Sequence, residues 1–205
     1  MAAEKNDILD GILKSLDGIN YIRPGEIPDI DLYMDQVTTF MDNHLRSSIR
    51  DDGDKILTKT MINNYAKNHL IPSPVKKKYS KDHMLLLIFI YYFKSILSID
   101  DIQRLFGHIT EKYFGPEAAG SNGLSLEDIY SGVFGMEKGQ TESMKQDITQ
   151  KFNLSQNTFV EAPEEDQEFL KLFSFICTLS YDVYVKKLVI ENLIDQICEN
   201  DQEKT

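Results

Sequence analysis

The chain has 205 residues, a formal net charge of −11 at pH 7, 41% apolar residues and 27% charged residues. The apolar and charged fractions are close to globular averages and argue against disorder throughout the chain. The acidic balance argues against a general nucleic-acid coat or a membrane-surface protein, but it permits one focused anion site, since salt screens charges beyond about 8 Å.

Redox and metal chemistry are not expected. Two cysteines, Cys177 and Cys198, lie in one apolar helical pattern, which predicts buried thiols in a reducing cytoplasm. The four histidines have no ligand spacing, so we expect neither a metal nor a cofactor. The N-terminus lacks an apolar signal core, and the apolar run 84–93 is about half as long as a bilayer crossing. We therefore expect a soluble, cytoplasmic protein without a membrane partner.

The first predicted element is an amphipathic helix over 7–22, in which apolar residues recur at helical spacing. Pro24, Gly25 and Pro28 then break the chain, so this helix is an arm that must dock elsewhere. A second helix is predicted over 31–45, followed by a turn over 50–54.

The third helix is predicted to begin near Thr58, as its N-cap, and to end before Pro72. His69 is expected to be a turn residue. Pro72 and Pro74 favour an extended path, so residues 75–79 should project as a stiff loop or a small strand pair. Ser80 is predicted to cap a helix that continues to about Ile96 and is apolar on nearly every side, which places it in the core. His83 should lie at the surface of its first turn.

The C-terminal half is predicted to be helical. Ser98 should cap a short helix, 115–123 should be a loop, and a further helix is expected near 142–152. Residues 164–199 contain no Gly or Pro, which predicts one long helix or two with a bend. Its apolar stripe is too wide for a simple two-stranded coil. We expect it to pack in a helical bundle that two subunits share as a homodimer.

Positive charge is concentrated in one window, 55–83. This window has seven lysines and one acidic residue, Asp82, a local charge of +6 in a chain of −11. An acidic protein with one basic window is typical of a site for an anionic partner, and we expect double-stranded DNA.

The predicted contact set combines the polar positions of the third helix with the basic tip that follows. Helix side chains would recognise the base sequence, and the lysines of the tip would reach neighbouring phosphates or a minor groove. The residues expected to bind DNA are Lys59, Thr60, Asn63, Asn64, Lys67, Lys76, Lys77, Lys78 and Tyr79.

Several stretches resemble known families. Residues 61–72 resemble the MerR-type helix-turn-helix signature, 76–80 occupy the place of that family's wing, and 98–105 are similar to its later helix. Residues 27–38 and 58–65 also resemble an uncharacterised bacterial family, domain of unknown function eighteen thirty-six, thought to be MerR-like.

The resemblance covers about residues 27–106 and implies a winged helix-turn-helix domain with a small β wing. With the helical patterns on either side, the predicted fold is all-α, with a C-terminal helical bundle. The predicted domains are an N-terminal helical arm (1–26), the MerR-like domain (27–110) and a C-terminal assembly or regulatory region (111–205). The implied function is a DNA-binding transcriptional regulator; no small-molecule effector can be named.

Two departures support an alternative. The MerR pattern has Arg where this chain has Asn63, which removes a strong phosphate contact, and Gly where it has His69, which removes an easy positive-φ turn. The alternative is a non-enzymatic protein-interaction module on a winged-helix scaffold that does not bind DNA. An enzyme is not expected, because the chain has no phosphate-binding Gly loop, no nucleophile elbow and no His-Glu metal pair.

Overall fold

The protein is mostly helical. The computed structural model describes residues 2–17, 21–46, 56–115, 123–135 and 140–202. The helices are α1 (Ala2–Asp17), α2 (Met34–Leu45), α3 (Lys59–Lys67), α4 (Lys81–Phe93), α5 (Ile99–Tyr113), α6 (Leu126–Gly135), α7 (Gln140–Gln156) and α8 (Glu164–Gln202). A short 3₁₀ helix (Pro24–Glu26) and two short strands, β1 (Leu32–Tyr33) and β2 (Lys78–Tyr79), complete the secondary structure of these residues. The all-α prediction is confirmed, whereas the predicted turn 50–54, Lys55 and residues 116–122 of the predicted loop lie outside the described residues.

The chain divides into two compact units. The first unit combines residues 1–20 with 136–190, and the second combines 21–135 with 191–205. Helix α8 is continuous, so of the two predicted alternatives the structure has one long helix, and its residues contribute to both units. No helix in the described residues is long and apolar enough to cross a membrane.

In the first unit, the N-terminal helix docks on α7, as its apolar spacing predicts. Leu9 of α1, Phe152 of α7 and Phe175 of α8 form a buried cluster, and the two phenylalanine rings meet edge to face at 5.3 Å. Lys145 of α7 pairs with Asp17 at the end of α1. This arrangement buries Leu9 and partly covers Leu13 of α1, whereas Ile8 and Ile12 stay 40% and 37% exposed.

The core of the second unit is α4. Residues 84–90 are seven consecutive buried side chains, so this helix is surrounded on all sides, as its composition predicts. Phe89 packs against Tyr130 at 5.3 Å and Phe134 at 5.4 Å between ring centroids. The buried Tyr130 hydroxyl donates to the carbonyl oxygen of Ile22 at 2.6 Å, which satisfies its polar group.

A small sheet joins two helix starts. Strand β1 pairs antiparallel with β2, with Leu32 opposite Tyr79 and Tyr33 opposite Lys78. Because β1 runs directly into α2, and β2 is followed by Ser80 and α4, the pairing fixes the start of α2 beside the start of α4. For residues 75–79 the sequence predicts a stiff loop or a small strand pair. The structure has a strand in this segment, β2, and pairs it with β1.

The prediction of buried thiols is wrong. Cys177 is exposed and Cys198 is partly exposed. Apolar residues occur around the whole circumference of α8, but only part of that circumference packs, so a thiol in an apolar pattern need not be buried. A sequence pattern alone could not show which side of such a helix is covered.

Candidate nucleic-acid interface

Helix α3 presents one polar face. The Thr58 hydroxyl oxygen accepts from the Met61 amide at 3.1 Å and caps the helix, as predicted. Ile62 and Tyr65 are buried on the inner side. At about 100° per residue, the remaining polar positions fall within an arc of about 140° on the other side. All five are exposed: Lys59, Thr60, Asn63, Asn64 and Lys67.

The end of α3 is closed by a Schellman motif, a pair of hydrogen bonds that satisfies the last carbonyls of a helix. The Leu70 amide donates to the Tyr65 carbonyl at 2.9 Å, and the His69 amide donates to the Ala66 carbonyl at 3.3 Å. His69 takes the left-handed conformation that this motif requires, with φ of 58°. His69 is therefore a turn residue, as predicted, at a position where glycine is the usual choice.

The segment after the two prolines is a tight hairpin with a lysine tip. The Lys78 amide donates to the Val75 carbonyl at 3.0 Å across a two-residue loop. The loop residues Lys76 and Lys77 have φ of 52° and 63°, the pattern of a type I′ turn, which Asn-Gly normally forms. Both lysine side chains are exposed. Each left-handed lysine costs on the order of 1 kcal/mol relative to a relaxed backbone.

Two residues at the start of α2 connect the hairpin to α3. The Lys78 ammonium lies 5.2 Å from the ring centroid of Tyr33, a cation–π distance. Asp35, two residues further along, forms an ion pair with Lys59 in the first turn of α3. The lysine hairpin and the beginning of α3 thus meet the same end of α2, so these two parts of the predicted contact set lie close together.

Tyr79 does not belong to the contact surface. It is 2% exposed, pairs with Leu32 in the sheet, and packs edge to face on His83 at 5.5 Å. Burial raises the pKa of its phenol. Its assignment as a direct DNA contact is wrong, because the side chain alternation of β2 points Tyr79 inward and Lys78 outward.

The prediction that His83 lies at the surface is also wrong. His83 is 3% exposed and joins both ends of the hairpin segment. The Ser80 amide donates to His83 Nδ1 at 3.0 Å, so Nδ1 is the unprotonated nitrogen, and Nε2 donates to the Pro72 carbonyl at 3.2 Å. Burial lowers the pKa of the imidazole, with the Pro72 carbonyl and the carboxylates of Asp82 and Asp31 acting in the opposite direction.

Lys81 belongs to the basic window but faces acidic neighbours. Its ammonium lies 2.9 Å from Glu127 Oε2 and 3.6 Å from Asp29 Oδ1. The hydrogen bond to Glu127 raises the pKa of Lys81. Among the described lysines of the window, three are exposed and form no ion pair or cation–π contact: Lys67, Lys76 and Lys77.

Sequence reasoning missed Tyr33 and Asp35 as neighbours of the basic residues. Their partners, Lys78 and Lys59, lie 45 and 24 positions further along the chain. No local pattern connects residues at such separations. In the part of the chain that the structure describes, no group of three or more His, Cys, Asp or Glu side chains could hold a metal ion.

A protein-family model described as "Domain of unknown function (DUF1836)" matches residues 22–133. The match spans β1, β2 and helices α2 to α5 completely, together with most of α6. Comparison with curated proteins and with solved structures gave no match.

Proposed function

Because the chain belongs to the family described as "Domain of unknown function (DUF1836)", whose description assigns no activity, we propose a function from its own residues. The proposal is a DNA-binding transcriptional regulator. Helix α3 and the 75–78 hairpin form a MerR-like winged helix-turn-helix, in which α3 reads the major groove and the lysine tip contacts the phosphates beside it.

The observation that carries the proposal is the backbone of Lys76 and Lys77. Both hold positive φ in a loop where Asn-Gly would form the same turn without strain. Folding alone therefore gives no reason for lysine at either position. Residues in such rare conformations are often retained for what their side chains bind. Two exposed ammonium groups at a rigid tip suit the negative charges of a phosphate backbone.

The exposed face of α3 suits base recognition. Asn63 and Asn64 are exposed on the helix, and an asparagine amide can bond bidentately to the N6 and N7 edge of adenine. Thr60 and Lys67 flank them and can donate to phosphate oxygens. The face thus combines groups that choose a sequence with groups that fix the register of the helix on the duplex.

One of the two departures from the MerR pattern has little effect on geometry. His69 adopts φ of 58°, the conformation that glycine would supply, so the turn after α3 is made despite the substitution. The other departure, Asn63, replaces a charged phosphate contact with a neutral group. This change favours weaker but still sequence-dependent binding.

The alternative is a protein-interaction module on the same scaffold. It is supported by the neighbours of Lys59 and Lys78, since one is paired with Asp35 and the other lies over Tyr33. A surface of mixed charge with an exposed tyrosine is also suited to a protein partner.

A selection experiment separates the two functions. The purified full chain is incubated with a library of random duplexes, and the retained DNA is sequenced over several rounds. Enrichment of one motif, altered or abolished by Asn63→Ala with Asn64→Ala, supports the regulator. A chain that enriches no motif and retains no duplex at low salt contradicts the regulator and leaves the interaction module.

A further inference from the structure

Helix α8 carries an uncovered apolar stripe within the first unit. Phe169, Phe173, Ile176 and Val183 are between 50% and 68% exposed. At about 100° per residue they fall within an arc of about 80°, whose centre is about a third of a turn away from Phe175, which packs against Leu9 and Phe152. Large apolar side chains in one continuous stripe mark an interaction surface.

The stripe contains no charged residue. Between 169 and 185, α8 carries two charged side chains, Lys171 and Asp182. Lys171 lies 3.3 Å from Gln167 Oε1, and Asp182 pairs with Lys151 of α7, so both are engaged within the first unit. The exposed side of this part of α8 therefore carries no charge along about four turns of helix, and Ser180 is the polar residue within the stripe.

The charges that flank the stripe are of opposite sign. Four acidic residues precede it: Glu164, Glu165, Asp166 and Glu168. Lys186 and Lys187 follow it. The acidic and the basic ends lie at nearly equal distances from Ile176, about ten residues on each side, and Phe169 and Val183 lie seven residues on each side. If two copies of the helix lie antiparallel with their Ile176 residues side by side, the acidic end of each copy lies beside the basic end of the other.

We propose that this stripe binds a second copy of the chain, with the two α8 helices antiparallel and the two-fold axis near Ile176. Phe169 of one copy then packs near Val183 of the other. The acidic end of each helix lies beside the lysines of its partner, as an isologous interface requires. A parallel pair would bring acidic ends together and lysines together, which the charges oppose.

The surface that a dimer needs extends beyond the four side chains of the stripe. Covering these four in both copies would remove on the order of 800 Å² from water, less than the roughly 1,200 Å² of a specific interface. The proposed dimer therefore also covers exposed neighbours of the stripe such as Tyr184, which is 58% exposed. The four residues follow one another at spacings of four, three and seven, and Ser180 lies in the seven-residue step. This is the spacing of a seam between two helices with one polar position, although the apolar residues of the whole helix cover more of its circumference than such a seam.

The first test is the molar mass of the full chain in solution, measured by light scattering after size exclusion. We expect a dimer at micromolar concentration that Ile176→Asp converts to a monomer with unchanged helical circular dichroism. Val189→Asp is the matched control: Val189 is 54% exposed, lies on a different side of α8, and should leave the dimer intact. A wild-type monomer at 100 μM, or a dimer that survives Ile176→Asp, would overturn the proposal.

The second test is orientation. In a background with Cys177→Ser and Cys198→Ser, chains with Phe169→Cys are mixed with chains that carry Val183→Cys and oxidised. Antiparallel helices give a disulfide-linked mixed dimer and little linkage of either chain alone. Linkage of Phe169→Cys chains with each other would show a parallel pair and overturn the antiparallel arrangement.

Discussion

Lys59 and Asp35 form an ion pair between the first turns of α3 and α2. Both side chains are exposed, at 59% and 76%, so the pair is accessible to solvent and contributes little to folding. Its position matters more, because an acidic group lies on the edge of the surface that we assign to DNA. In the proposed complex, Asp35 competes with a phosphate for Lys59.

Asp35→Asn should therefore strengthen DNA binding. The change removes a negative charge beside the phosphates and releases Lys59, and an exposed interaction of this size corresponds to a gain of about two- to fivefold in affinity at 0.1 M salt. The affinity is measured by fluorescence anisotropy with the selected duplex. Unchanged or weaker binding would show that Lys59 does not face DNA.

The salt dependence of DNA affinity should report how many phosphates the exposed lysines neutralise. If Lys67, Lys76 and Lys77 neutralise one phosphate each, log K should fall with log salt at a slope of about −2.7. Recruitment of Lys59 and Lys78 from their present partners would steepen the slope to about −4.5. A slope close to zero between 50 and 300 mM salt would contradict phosphate contact by this surface.

His69→Gly should stabilise the second unit by about 0.5–1 kcal/mol. Glycine adopts φ of 58° without a Cβ clash, and this gain exceeds the entropy that glycine adds to the unfolded chain. The neighbouring Asn68 has φ of −93°, so Asn68→Gly is a control that should bring no gain. Free energies of unfolding from urea titrations provide the comparison, and a loss of stability in His69→Gly would contradict the Schellman geometry.

Stability should depend on His83 below neutral pH. The folded pKa is lowered by burial, so the unfolded chain binds a proton first as pH falls, and the free energy of unfolding decreases below the ordinary value of 6.5. Above pH 6.5 the imidazole is neutral in both the folded and the unfolded chain, so it does not make the free energy of unfolding depend on pH. Denaturation between pH 5 and 8 should show this loss in the wild type and a flatter curve in His83→Gln; equal slopes would contradict the assignment.

Local patterns predicted the elements of the interface well. The Thr58 cap and the buried run 84–90 of α4 follow from capping chemistry and helical spacing, which act over a few residues. Tyr79 and His83 were misplaced because their burial depends on residues far away in the sequence. Tyr79 pairs with Leu32 in the sheet, and Phe114, just after α5, packs on His83 at 4.7 Å. The positive φ angles of Lys76 and Lys77 could not be predicted from the sequence either, because a pair of lysines is not typical of a type I′ turn.

The most direct measurement compares folding and DNA binding in one variant, Lys76→Asn with Lys77→Gly. Asn-Gly is the preferred pair for this turn, so the free energy of unfolding should rise by about 1–2 kcal/mol. Affinity for the selected duplex should fall at least tenfold, whereas Lys14→Gln, which removes an exposed lysine of the first unit, should leave it unchanged. A variant that is more stable and binds DNA as tightly as the wild type would contradict the claim that the lysines are there to hold phosphate.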